Sequence, residues 1–314
     1  MKNFVKLDVI NRIPRLTAQA YKGQSGKVAI VGGSLEYTGA PYYSAISALR
    51  TGSDLCHIIC SPDSSSIIKS YAPELVVYPY LDHKSNYSSE ILNILNRVNC
   101  IVIGPGLGRH PKTLSLVSNI IQETKNLNLP LIIDADGLFL IQNNPSLIRN
   151  YSKTILTPNI NEFKKLLQVT GLEFTDKDSD VMSLSSKLGV TILKKGHQDI
   201  IASNGIGKLA FLTIESNLNL NFEFQSCLKR CGGQGDLLTG ILSTFVGWFL
   251  KSIEESDDKN IFESLALSCH AAGMVLKVAA GRAFEVRGRS LVASDIIPFI
   301  GPSFESLFDP KSRH

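Results

Sequence analysis

The residues of this chain with the clearest chemical potential form a glycine-rich turn at 231–240, with the sequence CGGQGDLLTG. Three glycines within four positions allow positive φ angles and expose backbone N–H groups to a ligand. A helix is predicted directly after them, because apolar residues recur at helical spacing over 237–249. The N–H groups and the dipole at the start of a helix bind anions such as phosphate. Asp236 adds a carboxylate there, so the turn suits phosphoryl transfer to a hydroxyl group.

The same turn also fits an ordinary strand-to-helix connection in which Asp236 is the N-cap. Glycine-rich turns are common, so this stretch alone does not decide between the two interpretations. The choice between a phosphate-binding turn and an ordinary connection depends on which other residues the fold brings close to this turn.

A second glycine-rich loop, GPGLGR at 104–109, follows an apolar run and allows a substrate to approach the backbone closely. It is not a dinucleotide-binding fingerprint, because Arg109 occupies the place of the third glycine. It is not a P-loop either, since Pro111 stands where the second glycine of that motif belongs and has no N–H. Pro111 is instead predicted to begin the next helix.

Carboxylates follow two later strand-like runs. Asp134 and Asp136 could contact a metal through water or a ligand hydroxyl, or one of them could cap the next helix. Asn159 and Glu162 lie three residues apart at a predicted helix start and can face the same way. Glu162 could hold water-coordinated Mg²⁺ beside phosphates, or the pair could form a capping box. Both alternatives stay open for each group.

The segment KKGHQD at 194–199 joins two predicted strands. It could hold a nucleotide through its backbone and Lys195, or it could be a plain hairpin turn. His197 is interpreted as a surface turn residue.

Strand-like apolar runs alternate with helical patterns along most of the chain. This alternation predicts an α/β fold, in which a mainly parallel sheet is covered by helices on both faces and positions the groups described above. A single three-layer α/β/α domain over 1–314 is the simplest organisation. Later runs at 199–202, 209–214 and 222–224 predict antiparallel strands at a sheet edge. The buried strands are predicted at 28–31, 55–60, 75–78, 100–103, 131–133, 154–156 and 190–193, and helices among others at 113–124, 162–169 and 179–188.

Ligands of open parallel sheets bind beyond the carboxyl ends of the strands. The suggestive residues all follow strand-like runs, which predicts one cleft at that edge.

Composition limits the functions that this chain can have. The net charge is +4 over 314 residues, and no run of Lys or Arg exceeds two, which argues against nucleic-acid binding. The six cysteines form no CxxC pair, so reduced thiols and an intracellular protein are expected. No uninterrupted apolar run approaches the ~18 residues of a membrane span, and no membrane partner is expected. The basic N-terminus is poor in serine, so a cytoplasmic location is favoured over mitochondrial targeting.

Taken together, these motifs resemble the ribokinase-like superfamily and, within it, the ATP-dependent NAD(P)H-hydrate dehydratases. The resemblance runs from about residue 26 to the C-terminus, nearly the whole chain. Its most specific part is the Gly-Gln-Gly-Asp sequence at 233–236, because related small-molecule kinases more often carry a small residue at the glutamine. The motifs, in order, are GGS at 32–34, YTGAP at 37–41, GPGLG at 104–108, DADGL at 134–138, TPN at 157–159, EF at 162–163, KG at 195–196 and CGGQGD at 231–236.

The resemblance implies a repair enzyme that uses ATP to dehydrate the S epimer of hydrated NADH or NADPH, with Mg²⁺ on the phosphates. A separate NAD(P)H-hydrate epimerase is expected as a functional partner, and homo-oligomerisation is left open. The catalytic residues implied are Gly233, Gly235 and Asp236. The substrate would bind Gly106, Asn159, Ile160, Asn161, Glu162, Phe163, Lys164, Lys165 and Asp236. ATP would bind Lys195, Gly196, His197, Gln198, Asp199, Ser226, Cys227, Leu228, Lys229, Arg230, Cys231, Gly232, Gly233, Gln234 and Gly235.

Two other functions fit the same residues. One is a kinase of the same fold that phosphorylates a vitamin alcohol or a sugar and releases a stable phosphate ester. The other is a catalytically silent nucleotide-binding regulator, against which the intact Asp236 argues.

Overall fold

The computed structural model describes residues 2–204, 227–251, 253 and 257–308. Within these residues, helices and strands alternate along the first two thirds of the chain, and helices follow. The strands are β1 (Lys27–Val31), β2 (Leu55–Ile59), β3 (Val76–Tyr78), β4 (Cys100–Ile103), β5 (Leu131–Ile133), β6 (Thr154–Leu156), β7 (Thr191–Lys194) and β8 (Ile200–Ala202). The helices are α1 (Lys2–Arg12), α2 (Gly39–Thr51), α3 (Pro62–Tyr71), α4 (Ser88–Leu95), α5 (Pro111–Asn126), α6 (Asp136–Asn143), α7 (Ile160–Val169), α8 (Ser179–Leu188), α9 (Gln234–Phe249), α10 (Asp258–Arg287) and α11 (Ala293–Phe308).

The strands form one sheet in the order β3-β2-β1-β4-β5-β6-β7-β8. Every neighbouring pair is parallel except the last, in which β8 runs antiparallel to β7. The chain moves outward from β1 in one direction through β2 and β3, and then returns to place β4 on the other side of β1. The strand order therefore reverses between β1 and β4, which is where open α/β sheets bind their ligands.

Helices cover both faces of the sheet, because successive strand residues point to opposite faces. Ile30 and Val102 pack with apolar residues of α2, α9, α10 and α11 in one core. Val31 and Ile103 pack with residues of α4 to α8 in the other. The three-layer α/β/α architecture predicted from the apolar runs is confirmed.

The antiparallel edge predicted from sequence is confirmed for its first strand, since the run at 199–202 corresponds to β8. The runs at 209–214 and 222–224 lie outside the described residues. Proline 111 begins α5, as predicted. All six cysteines are free thiols, in agreement with the expected reduced state.

Helix α10 belongs to the core despite its hydrophobicity. The segment Asp258–Ser290 is long and apolar enough to cross a membrane, with a mean hydropathy of 1.4 over its most apolar window. However, 78% of that window is buried inside the protein. A helix that is apolar on all sides is expected in such a position between other helices.

The glycine-rich helix α9 packs directly on α2, and Gly240 makes this approach possible. A Cβ at Gly240 would overlap the backbone oxygen of Ser44. At the same contact, Ser44 Oγ and Thr239 Oγ1 lie 2.9 Å apart in a buried hydrogen bond. The two helices are thus held at backbone distance close to the first turn of α9.

We expect Gly240→Ala to lower the free energy of unfolding by about 1–3 kcal/mol, because the added methyl group forces the two helices apart. The matched control is Gly247→Ala on the same helix, where the nearest atom would be the Cβ of Asn99 at 3.4 Å. That control should be neutral or stabilising, because alanine favours helix over glycine. Denaturant titration measures both, and equal midpoints for the two variants would contradict the packing argument.

Candidate active site

The site lies at the carboxyl edge of the sheet, beside the point where the strand order reverses. Gly32 and Gly104 follow β1 and β4 there, and both positions exclude a side chain. A Cβ at Gly32 would overlap the carbonyl of Pro105, and one at Gly104 would overlap the carbonyl of Asp134. The loops after β1, β4 and β5 therefore pack backbone against backbone at this edge and form the base of the site.

The glycine-rich turn begins α9 as an uncapped helix. Gly233 is the N-cap, with φ of 91°, and as a glycine it makes no side-chain hydrogen bond to the first turn. The first intrahelical bond is donated by Leu237 N to Gly233 O at 2.9 Å. The amides of residues 234–236 therefore precede the helical ladder and are available to an anion. The interpretation of Asp236 as the N-cap is wrong, because Asp236 lies in the first turn itself.

A buried ion pair faces this helix start. Lys195 Nζ donates to Asp134 Oδ1 at 2.6 Å, and the Asp134 side chain is only 3% exposed. A Cβ at Gly235 would lie 3.2 Å from Lys195 Nζ and 3.5 Å from Asp134 Oδ2. The absence of a side chain at Gly235 thus brings the start of α9 against the ion pair.

Asp236 completes the charged cluster. Burial and the nearby Asp134 carboxylate raise its pKa to about 7, although the Lys195 ammonium acts in the opposite direction. For Lys195, burial disfavours the ammonium, but the charges of Asp134, Glu162 and Asp236 outweigh burial and raise the pKa. Lys195 therefore stays protonated, and Asp236 changes its charge near neutral pH. A carboxylate with that pKa is suited to accept a proton at pH 7.

Glu162 has a structural role at the start of α7. The Asn159 side chain accepts hydrogen bonds from the amides of Asn161 at 2.9 Å and Glu162 at 3.1 Å. In return, Glu162 Oε2 accepts from the amide of Asn159 at 2.8 Å. The predicted capping box is therefore present, and the contact of Glu162 with water-coordinated Mg²⁺ stays a prediction. Burial raises the pKa of Glu162, while the Asn159 amide and Lys195 act against this.

A cleft opens between α7 and the loops after β4 and β5. Four of the residues expected to bind substrate line it, namely Asn159, Asn161, Glu162 and Lys165, together with Arg109, Ala135, Phe139 and Gln142. Successive residues of a helix point in different directions, so other side chains of 159–165 point away from the cleft. Phe163 is completely buried in the core, and Lys164 Nζ lies 4.3 Å from the centre of the Phe174 ring. Ile160 is 40% exposed and is not among the residues that line this cleft, and substrate binding by all of 159–165 stays a prediction.

Gly106 adopts φ of +60° in the loop after β4, and a Cβ there would meet the backbone oxygen of Tyr37 at 2.6 Å. It lies on the same edge of the sheet but not among the residues that line the cleft.

The two segments expected to bind ATP lie against each other. Arg230 Nη2 donates to the backbone oxygen of Gly196 at 3.3 Å. Within the second segment, Gln234 Nε2 donates to Lys229 O at 3.2 Å. Leu228 and Gly232 are exposed, and Cys227 and Cys231 are half-buried. Ser226 lies outside the described residues.

The segment 194–199 forms the hairpin connection between β7 and β8, and its binding of a nucleotide stays a prediction. His197 and Gln198 are exposed, as expected of turn residues. Asp199 is buried, accepts from the Gly196 amide at 3.0 Å and pairs with Lys277 at 3.3 Å. The Asp199 carboxylate therefore stabilises the turn.

Asp134 and Asp136 serve different partners, and neither caps α6. The N-cap of α6 is Ala135, with no side-chain hydrogen bond. Asp136 accepts from the Gly108 amide at 3.0 Å and from Arg109 Nε at 2.8 Å. Sequence reasoning missed both ion pairs, because their partners are far apart along the chain.

The described part of the chain contains no group of three or more His, Cys, Asp or Glu side chains arranged to hold a metal ion. A protein cage for a metal is therefore not present there. Mg²⁺ that is bound mainly by phosphates and water needs only one or two carboxylates. Glu162 fits that requirement, because its carboxylate lies in the first turn of α7 and lines the cleft.

Comparison with known proteins gives consistent results. The family model described as NAD(P)H-hydrate dehydratase matches residues 28–297. A curated ATP-dependent (S)-NAD(P)H-hydrate dehydratase of Mus musculus is 41% identical, covering 98% of this chain and 86% of that protein. The protein of that name from Batrachochytrium dendrobatidis is 40% identical, covering 95% and 96%.

Solved structures with similar folds are more distant in sequence. A ribokinase-like superfamily protein of Enterococcus faecalis has a TM-score of 0.71 at 19% identity, covering 96% of this chain and 95% of that chain. An ADP/ATP-dependent NAD(P)H-hydrate dehydratase of Bacillus subtilis, co-crystallised with ATP and Mg²⁺, has a TM-score of 0.63 at 19% identity, covering 96% and 97%. These similarities establish the ribokinase-like fold.

Proposed function

This chain belongs to the NAD(P)H-hydrate dehydratase family, and we propose that it uses ATP to dehydrate the S epimer of hydrated NADH or NADPH. It is therefore a lyase of nicotinamide-nucleotide repair. The observation that carries the mechanism is the placement of Asp236. Its carboxylate, with a pKa of about 7, lies in the first turn of an uncapped helix beside Lys195.

In the first step, the hydroxyl oxygen of the hydrate attacks the γ-phosphorus of ATP, and ADP leaves. Asp236 accepts the hydroxyl proton as the new P–O bond forms. The backbone amides of 234–236 and the Lys195 ammonium stabilise the charge on the transferring phosphoryl group. These donors are fixed by α9 and by the Lys195–Asp134 ion pair before the reaction begins.

In the second step, the phosphate ester breaks down. The lone pair of the ring nitrogen expels inorganic phosphate, and loss of a proton from the neighbouring ring carbon restores the double bond. Phosphate is a much better leaving group than hydroxide, which is why phosphorylation makes the dehydration easy. The products are reduced dinucleotide, ADP and phosphate.

Mg²⁺ is proposed as the metal, with Glu162 contacting it through water. When bound, it neutralises charge on the phosphates of ATP. The fit of Glu162 to a phosphate-bound ion supports this, as does the presence of ATP and Mg²⁺ in the crystals of the Bacillus subtilis protein. The names of the relatives specify the S epimer, so we also propose that a separate epimerase converts the R epimer. A cytoplasmic location is part of the same proposal.

The test is incubation of the purified chain with hydrated NADH or hydrated NADPH and ATP. We expect the absorbance of the reduced nicotinamide to return, with one ADP and one phosphate formed for each dinucleotide. Parallel reactions with ADP in place of ATP test the choice of phosphoryl donor. Accumulation of a stable phosphate ester without the absorbance would instead identify a small-molecule kinase.

A further inference from the structure

Arg109 is held at the mouth of the cleft by two contacts. Its Nε donates to Asp136 Oδ1 at 2.8 Å, and its guanidinium carbon lies 4.5 Å from the centre of the Phe139 ring. The second oxygen of Asp136 accepts from the Gly108 amide, which fixes the carboxylate to the same loop. Among the residues that the structure describes, the bond from Nε is the only hydrogen bond that the Arg109 side chain donates. Both Nη groups therefore remain available as donors to a ligand.

This arrangement contributes little to stability. The Arg109 side chain is 61% exposed, and ion pairs so accessible to water add only about 0–1 kcal/mol. Its effect is on orientation, because the carboxylate and the ring together fix the plane of the guanidinium. A planar pair of N–H donors matches two oxygens of one phosphate group.

The cleft is cationic on two sides. Lys165 lines it together with Arg109, and the amides of Asn161 and Gln142 are the neutral polar groups nearby. Glu162 is the one carboxylate among the lining residues, so the two cations outnumber it. Such a lining favours an anion over a neutral or cationic group.

We infer that Arg109 is a specificity residue that binds a phosphate group of the dinucleotide substrate through its two Nη groups, with Asp136 as its positioning residue. This inference rests on the proposed function for the identity of the substrate. Hydrated NADH carries phosphate only in the pyrophosphate that joins its two nucleosides, whereas hydrated NADPH also carries a ribose phosphate. Both sources present the same oxygens to the guanidinium.

The experiment compares Arg109→Lys with the unaltered chain. Lysine keeps the charge but loses the fork of donors, so we expect KM for the hydrate to rise about tenfold to a hundredfold with little change in kcat. Binding of NADH and of NADPH, followed by their fluorescence without ATP, should weaken by a similar factor. A loss with both dinucleotides assigns the pyrophosphate, and a loss with NADPH alone assigns the ribose phosphate. Unchanged binding and KM for both would overturn the inference.

Two further variants make the result specific. Arg97→Lys carries the same substitution on an exposed arginine that precedes β4, at the opposite end of the strand, and should change neither KM nor binding. Asp136→Asn leaves the charge of Arg109 in place but weakens the hydrogen bond that orients its guanidinium. KM for the hydrate should therefore rise several-fold while kcat is retained. If the unaltered chain does not turn over the hydrate, the proposed function fails. The fluorescence titrations of the same variants still decide the role of Arg109.

Discussion

Asp236→Asn should lower kcat by about a hundredfold to ten-thousandfold and at the same time make the protein more stable at pH 8. The rate falls because asparagine cannot accept the hydroxyl proton. Stability rises because folding raises the pKa of Asp236 from 3.8 to about 7, so the ionised carboxylate is less favourable in the folded than in the unfolded state. The gain should be absent below pH 4, grow between pH 4 and pH 7, and stay constant above. Thermal melting across this range, beside turnover at saturating ATP, measures both effects.

The same pKa predicts the pH dependence of the unaltered chain. Turnover at low substrate should rise about tenfold per unit of pH below 7 and level off above it, because only the ionised carboxylate accepts a proton. ATP affinity of Asp236→Asn should change little, since the backbone amides of the turn are retained. A variant that loses stability at pH 8, or that keeps most of its turnover, would show that Asp236 is a structural residue.

Lys195→Met should lower the free energy of unfolding by about 3–5 kcal/mol, because it leaves the buried Asp134 carboxylate without its partner. The affinity for ATP should fall as well, since the ammonium beside the helix start is lost. Asp236 would lose a neighbouring cation, so its pKa should rise further and the residual turnover should require a higher pH. Denaturant titration, ATP binding and the pH profile provide three separate measurements.

Two further variants separate the structural from the functional part of this effect. In the double variant Lys195→Met with Asp134→Asn, the buried Asp134 charge is removed together with its partner, so most of the stability should return while ATP binding stays weak. Lys194→Met is the matched control, because the adjacent ammonium lies 5.3 Å from the centre of the Phe163 ring and forms no ion pair with any residue that the structure describes. Normal ATP binding in the double variant would show that Lys195 does not contribute to the nucleotide site.

Local patterns in the sequence predict the elements of this fold well. Each described strand coincides with an apolar run, and Pro111 and the glycines at 232–235 mark helix starts where expected. Strand order cannot be obtained in this way, because nothing in a single run says which strand will lie beside it. The pairing of β1 with both β2 and β4 appears only in the assembled sheet.

The site was predictable in outline for the same reason. Its residues follow strands, and parallel strands end at one edge, so their proximity could be inferred. Which side chains contact each other could not. Lys195 and Asp134 are 61 residues apart, and Arg109 and Asp136 are 27 apart. Glu162 shows the opposite case, since its capping box is a local motif that the spacing of three residues already indicates.

The close contact between Gly240 and Ser44 has an evolutionary consequence. Gly240 lies four residues after Asp236, about one helical turn, so the proposed proton acceptor is held rigidly against a neighbouring helix. A helix seated so closely cannot slide or tilt to reach an alcohol in another position. Divergence toward new acceptor molecules should therefore proceed through the loops after β4 and β5, while the spacing between α2 and α9 stays constant across relatives with different substrates.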